Sequence, residues 1–166
     1  FRRKDGLADY HGMTKRLDGL VVPLRGGYQL SNAALALAAV EIIGKKGFVT
    51  DSEAIYAGLK KTHWEARMEI LSERPFFLLD GAHNPSGVSA LQSALKKDFS
   101  WRRLILIFAA LADKDYLAML KKIAPLAVVT ILPPLQTNRA VKARELVRVM
   151  KGLGCRAVVS ESVGQA

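Results

Sequence analysis

Apolar residues along this chain change their spacing near Met68, and the change divides it into two kinds of sequence. Ahead of it the dominant feature is the run Ser31-Asn32-Ala33-Ala34-Leu35-Ala36-Leu37-Ala38-Ala39-Val40-Glu41-Ile42-Ile43, apolar nearly all round. That run predicts a capped helix opened at Ser31 and Asn32, closed by Gly44 and buried over most of its surface. Residues 1–30 are rich in glycine and charge, with short apolar pieces such as Leu20-Val21-Val22-Pro23-Leu24. They predict strands and turns that would not fold alone. A second helix is predicted where Thr50 and Glu53 are spaced as a capping box, with Ile55 and Leu59 on one face.

From Met68 onward, short apolar runs alternate with amphipathic stretches. The pattern predicts strands over residues 68–71, 76–79, 104–108, 127–132 and 156–159, and helices over 86–97, 115–123 and 141–151. Strands rich in Val, Ile, Leu and Phe on both faces, joined by helices, predict a Rossmann-like α/β domain with a mostly parallel sheet covered on both sides. The alternation stops after Val158-Val159-Ser160-Glu161, where another helix and strand are expected, so the domain is read as truncated.

The chain has 166 residues, half of them apolar, enough for one domain with a real core plus part of another. No apolar run reaches the roughly 18 to 20 residues that span a bilayer, and the N-terminus has no signal-peptide pattern, so the expected compartment is the cytoplasm. Cys155 is the single cysteine and reads as a small packing residue. A net charge of +10 asks for an anionic partner. Most basic residues occur as pairs closing helical segments, where the helix dipole favours them. Aromatic residues interleaved with the basic ones, which a nucleic-acid surface would need, are missing.

The candidate chemistry gathers at Asp80-Gly81-Ala82-His83-Asn84-Pro85. Asp80 should end the apolar strand 76–79 at the carboxyl edge of the sheet, where open α/β sheets bind ligands and a carboxylate suits ribose hydroxyls. The same residues also read as a turn and helix cap, with Asn84 or Ser86 capping and Pro85 in the first helical turn. Turn chemistry explains His83 least. Arg67, just after Trp64, offers a planar guanidinium to phosphates at a domain boundary, or is a solvated linker residue. Asn32 can read an adenine edge through its carboxamide, or cap its helix. Asp113-Lys114-Asp115 follows the strand at 104–108 at the same edge, or starts a helix. There is no Gly-x-x-x-x-Gly-Lys-Ser/Thr phosphate loop, no Gly-x-Gly-x-x-Gly, no cysteine pair and no His-Glu-x-x-His, so any nucleotide is held mainly by residues outside this stretch.

In order and spacing these residues resemble folylpolyglutamate synthase and dihydrofolate synthase, members of the Mur-ligase superfamily. Gly27-Tyr28-Gln29-Leu30-Ser31-Asn32-Ala33 is similar to the family's Gly-x-x-Gln-x-x-Asn-Ala helix start, and Trp64-Glu65-Ala66-Arg67 to its Trp-Pro-Gly-Arg. Residues 79–85 are similar to its Leu-Asp-Gly-Ala-His-Asn-Pro, and Asp113-Lys114-Asp115 to its Asp-Lys-Asp. Glu65 and Ala66 depart from the usual Pro and Gly, and Ala109-Ala110 stands where a Gly is common.

The resemblance implies that residues 1–66 are the C-terminal part of the central ATPase domain and residues 67–166 the C-terminal Rossmann-like domain. It implies ATP contacts by Asn32 at the adenine, Arg67 at the phosphates and Asp80 at the ribose, with His83 at the incoming glutamate. The phosphate loop and the Mg2+ ligands are expected upstream, so this stretch alone is expected to be inactive. The implied reaction is ATP-dependent addition of L-glutamate to folate or dihydropteroate through an acyl phosphate. The partners expected are these small molecules, with no nucleic acid and no membrane, for an intact enzyme that is monomeric. Another Mur-type ligase and a non-catalytic basic nucleic-acid-binding module are the alternatives.

Overall fold

A computed structural model describes residues 2–4 by their backbone and residues 7–166 with side chains. Residues 1, 5 and 6, part of the predicted strand-and-turn region, lie outside the described residues. The chain forms two compact units, one up to Gly81 and one from Ala82 to Ala166.

The first unit opens with an antiparallel meander, β1 (Arg2–Lys4), β2 (Leu7–His11) and β3 (Arg16–Leu20), in the region expected to hold strands and turns, although of the apolar piece at residues 20–24 only Leu20 lies in a strand. Helices α1 (Gly27–Gly44) and α2 (Ser52–Lys60) follow. Leu17, Leu20 and Val22 pack with Ala33 and Leu37 of α1 and Ile55 of α2 into one apolar cluster. Two details differ from the sequence expectation. The N-cap of α2 is Asp51, whose carboxylate accepts from the Ala54 N–H at 2.6 Å, so Thr50 is not the capping residue. Helix α1 starts at Gly27, which puts Asn32 in its second turn instead of at its opening.

Nor is α1 buried over most of its surface. Only the stripe Gln29, Ala33, Leu37 and Glu41 is buried, while Leu35 is 70% and Ile42 51% exposed. The spacing of four is the reason: among the described residues the packing partners touch one face, and a 3.6-residue turn brings every fourth side chain to it.

Glu41 closes that stripe with a buried carboxylate. It accepts from the N–H groups of Met13 at 2.8 Å, Thr14 at 3.0 Å and Lys15 at 2.6 Å, and from the Thr14 and Tyr10 hydroxyls. Burial pushes the carboxyl up, but the donors of Thr14, Met13 and Lys15 outweigh it and hold the group at about 2. A side chain at Gly12 would lie 2.5 Å from the Glu41 carboxylate, so the β2–β3 turn closes on Glu41 only with glycine there.

A hairpin, β4 (Glu69–Glu73) and β5 (Phe76–Leu79), completes the first unit. The expectation of a buried parallel strand at 76–79 is therefore corrected. Only Arg74 and Pro75 separate the two strands, too few for the crossover that a parallel pair requires. Phe76 is 52% exposed, so Asp80 ends a solvent-facing hairpin strand and not the carboxyl edge of the parallel sheet.

The second unit is the α/β domain the alternation predicts: α3 (Pro85–Asp98), β6 (Ile105–Ile107), α4 (Tyr116–Ile123), β7 (Val129–Leu132), α5 (Ala143–Gly152) and β8 (Ala157–Val159). Strands β6, β7 and β8 form a parallel sheet in that order, with Ile105 opposite Val129 and Thr130 opposite Ala157. Leu132 of the central strand and Leu120, Leu146 and Met150 of the helices are essentially fully buried. Among the described residues no helix is long and apolar enough to cross a membrane.

Because Glu41 is held below its ordinary value, its stabilising contribution is complete above the unfolded carboxyl range near pH 4.5 and is lost as pH falls towards about 2. Glu41→Gln should be less stable at pH 7 and should lose less further stability on acidification, measured by denaturant unfolding at a series of pH values. An unchanged acid slope in the variant would contradict this role.

Candidate functional site

Three of the four sequence-predicted site residues, Asn32, Arg67 and Asp80, fall in the first unit. Arg67 stands between two residues in the left-handed region, Ala66 at φ 53° and Met68 at φ 49°. A backbone of that kind is costly for residues with a Cβ and persists only when its surroundings hold it. Here three hydrogen bonds do so. The Gly81 N–H donates to the Ala66 carbonyl at 2.7 Å, the Met68 N–H to Asp80 Oδ2 at 3.0 Å, and the Ala66 N–H to Glu69 Oε2 at 2.8 Å. Asp80 thus fixes the turn that presents Arg67. Gly81 allows the close approach, since a Cβ there would lie 3.2 Å from the Ala66 carbonyl.

The Arg67 side chain is exposed, with its guanidinium carbon 5.8 Å from the centre of the Trp64 ring, a cation–π distance. Met68 points inward and is buried. Its sulfur and the Tyr28 ring leave no room for a side chain at Gly26, whose φ is also 92°. Burial pushes the Tyr28 phenol up, the Asp80 charge pushes it further, and Arg67 and Gln29 act in the opposite sense. The Tyr28 ring and the Met68 sulfur both lie against Gly26, which places the start of α1 beside the Arg67 turn. Gln29 is buried, and its Oε1 accepts from Asn32 Nδ2 at 2.9 Å. That bond orients the exposed Asn32 carboxamide and leaves its oxygen and second N–H free of it.

His83 lies in the second unit and is exposed, next to Asn84, whose Oδ1 accepts from the Gly87 N–H at 2.7 Å and caps α3, with Pro85 in its first turn. Asp115 likewise caps α4 through the Ala118 N–H at 2.9 Å. Asp113 pairs with Lys114 at 3.2 Å and Arg139 at 3.0 Å, and these cations hold its carboxyl below the usual range against a smaller effect of burial. Sequence reasoning passed over Tyr28, Gln29 and Met68 as site-shaping residues. The Gly26-Gly27 pair ahead of Tyr28 was the available signal for a close approach there.

Residues 66–166 match the family model described as Mur ligase, glutamate ligase domain. The chain belongs to this Mur ligase family. The folylpolyglutamate synthase of Lacticaseibacillus casei is 38% identical over 79% of this chain and 31% of its own length. The dihydrofolate synthase/folylpolyglutamate synthase of Bacillus subtilis is 37% identical over 74% of the chain and 29% of its own. The Mur ligase chain thus spans about a third of the length of the relatives it matches. Among solved structures, Mycobacterium tuberculosis folylpolyglutamate synthase complexed with ADP superposes with a TM-score of 0.87 at 28% identity, covering 96% of this chain and 36% of that one. Escherichia coli FolC in complex with DHPP and ADP gives 0.83 at 26% identity, covering 99% and 37%.

The Mur ligase match opens at Ala66, the first residue of the strained turn. Its left-handed backbone shows the physical basis of the glycine that the resembling motif carries at this position. Ala66→Gly should therefore raise stability by roughly 0.5–1 kcal/mol, the left-handed cost less the extra freedom of an unfolded glycine. A lowered denaturation midpoint for this variant would show that the turn is not strained.

Proposed function

We propose that this Mur ligase chain contributes one part of the nucleotide and glutamate site of an ATP-dependent ligase that adds L-glutamate to folate or dihydropteroate. The single observation that carries the reading is the Arg67 turn, built on Asp80 and set beside the first two turns of α1, which carry Tyr28, Gln29 and Asn32. Support comes also from relatives named folylpolyglutamate and dihydrofolate synthases and from solved relatives complexed with ADP.

In this reading Asn32 offers donor and acceptor to the adenine edge, steadied by Gln29. Asp80 accepts from ribose hydroxyls while it holds the Met68 N–H. Arg67 neutralises phosphate charge, and its planar fork suits two oxygens at once. His83 meets the incoming glutamate. The acceptor carboxylate attacks the γ-phosphorus of ATP, the bond to the bridging oxygen breaks and ADP leaves, giving an acyl phosphate; the glutamate amine then attacks the acyl carbon, phosphate leaves, and the amine gives up a proton. A guanidinium positioned in advance stabilises the charge that develops on the transferring group without reorganising at that moment.

Among the described residues no cluster of three or more His, Cys, Asp or Glu could hold a metal ion. No step on this chain is routed through a metal ion.

In the longest native chain that carries these residues, phosphate release from ATP should require both glutamate and a pteroate or folate acceptor. Release with peptidoglycan precursors in place of these would overturn the assignment. Arg67→Ala should raise the KM for ATP by roughly tenfold or more, the scale of one lost charge-assisted hydrogen bond. Asp80→Asn is the cleaner partner variant, because it keeps an oxygen for the Met68 N–H; ATP kinetics untouched by both changes would remove the nucleotide roles.

A further inference from the structure

The positive charge of the chain is concentrated in the second unit, which has 13 basic and 5 acidic residues from Ala82 onward, against 12 and 10 before it. Topology sorts that charge further. Strands β6, β7 and β8 are parallel, so α4 and α5 run back across the sheet and end at its amino edge, where the strands start. The last turns of α3, α4 and α5 bring Lys96, Lys97, Lys121, Lys122 and Lys151 to that end of the unit. Arg102 and Arg103 lead into β6 there, and Arg156 leads into β8. Hydrogen bonds draw these segments together. The Val128 N–H donates to the Leu104 carbonyl and the Thr130 N–H to the Arg156 carbonyl, both at 2.9 Å, and the Gln92 side chain donates to the Lys122 carbonyl.

Asp98 is the one acid on these segments. Asp113, Asp115, Glu145 and Glu161 lie at the other, carboxyl edge, where Asp113 pairs with Lys114 and Arg139. At the amino edge, among the described residues, none of the eight cations is in an ion pair, and all but the half-buried Lys122 are exposed. The helix dipole favours the lysines of the last turns, but its reach ends there and does not account for Arg102, Arg103 and Arg156.

Unmatched cations spread over the end of a domain attract an extended anionic surface. Two apolar side chains stand among them, Trp101 at 37% and Val128 at 45% exposure. One indole is not the row of aromatics on which bases stack, and lysines are depleted from packed protein interfaces. A lipid headgroup layer suits both features. Ammonium groups stay hydrated above anionic headgroups, and an indole seats its amphipathic ring at their level.

We propose that the amino edge of the β6–β7–β8 sheet is a docking surface for an anionic lipid bilayer, with its lysines and arginines over the headgroups and Trp101 seated among them. This departs from the expectation of no membrane partner, which rested on the lack of an apolar run long enough to span one. Adsorption to a surface needs no such run. The inference is independent of the nucleotide reading, since none of these residues has a role in it.

The test is vesicle co-sedimentation at low ionic strength with the longest native chain that carries these residues. The vesicles are phosphatidylcholine alone and an equimolar mixture with phosphatidylglycerol. Two variants at exposed positions lose equal charge: Lys96→Gln/Lys97→Gln/Arg102→Gln/Arg103→Gln at the edge, and Lys45→Gln/Lys46→Gln/Lys60→Gln/Lys61→Gln in the first unit. The edge variant should bind the mixed vesicles roughly tenfold or more weakly than wild type, and the first-unit variant within about twofold of it. Mixed vesicles should shift the tryptophan emission of wild type to the blue, and Trp101→Phe should diminish that shift. Equal losses in the two quadruple variants, or wild type that binds both vesicles alike, overturns the proposal. An oligonucleotide held through the edge cations by a protein that ignores the vesicles overturns it as well. An emission shift undiminished in Trp101→Phe overturns the part given to that residue.

Discussion

Two hydrogen bonds, from the Met68 N–H to the Asp80 carboxylate and from the Gly81 N–H to the Ala66 carbonyl, hold together the candidate site of the first unit. They tie the far end of a hairpin back to the residues that precede it, and they confine Arg67 between two left-handed neighbours. Without them Ala66 and Met68 would relax to ordinary backbone, and the guanidinium would leave the Trp64 face. Asp80 therefore anchors the turn. That anchoring is compatible with the ribose contact proposed for it.

The second unit was largely legible because its elements are short, amphipathic and locally signalled. Asn84 and Asp115 cap where a side-chain oxygen precedes a helical pattern, and β7 alternates buried and half-buried positions as a central strand should. The first unit was less so. The apolar run placed the helix opening at Ser31 and Asn32, yet α1 begins at Gly27, since Gly26 supplies a positive φ and the room that Tyr28 and Met68 occupy. The apolar run of α1 states which residues are oily but not which side finds a partner, and that depends on neighbours distant in sequence.

The hairpin shows the same limit from another direction. Phe76-Phe77-Leu78-Leu79 has the composition of a buried strand, but its partner is decided by chain connectivity, and two intervening residues allow only an antiparallel neighbour. The left-handed conformations of Ala66 and Met68 leave no mark in the residues themselves, because neither prefers them; the glycine of the resembling motif at position 66 is the one hint, and tertiary hydrogen bonds impose both conformations. Candidate residues were therefore readable by type and order, whereas the way Tyr28, Gln29 and Asp80 hold their neighbours was visible only in three dimensions.

The central claim is that the Arg67 turn and the start of α1 form a nucleotide-contacting surface. A crystal structure of the protein with ADP tests it most directly. The account predicts the adenine within hydrogen-bond distance of Asn32, a ribose hydroxyl on Asp80 and phosphate oxygens on Arg67, with the left-handed Ala66 and Met68 retained. ADP bound without contact to Asp80 and Arg67 would contradict it.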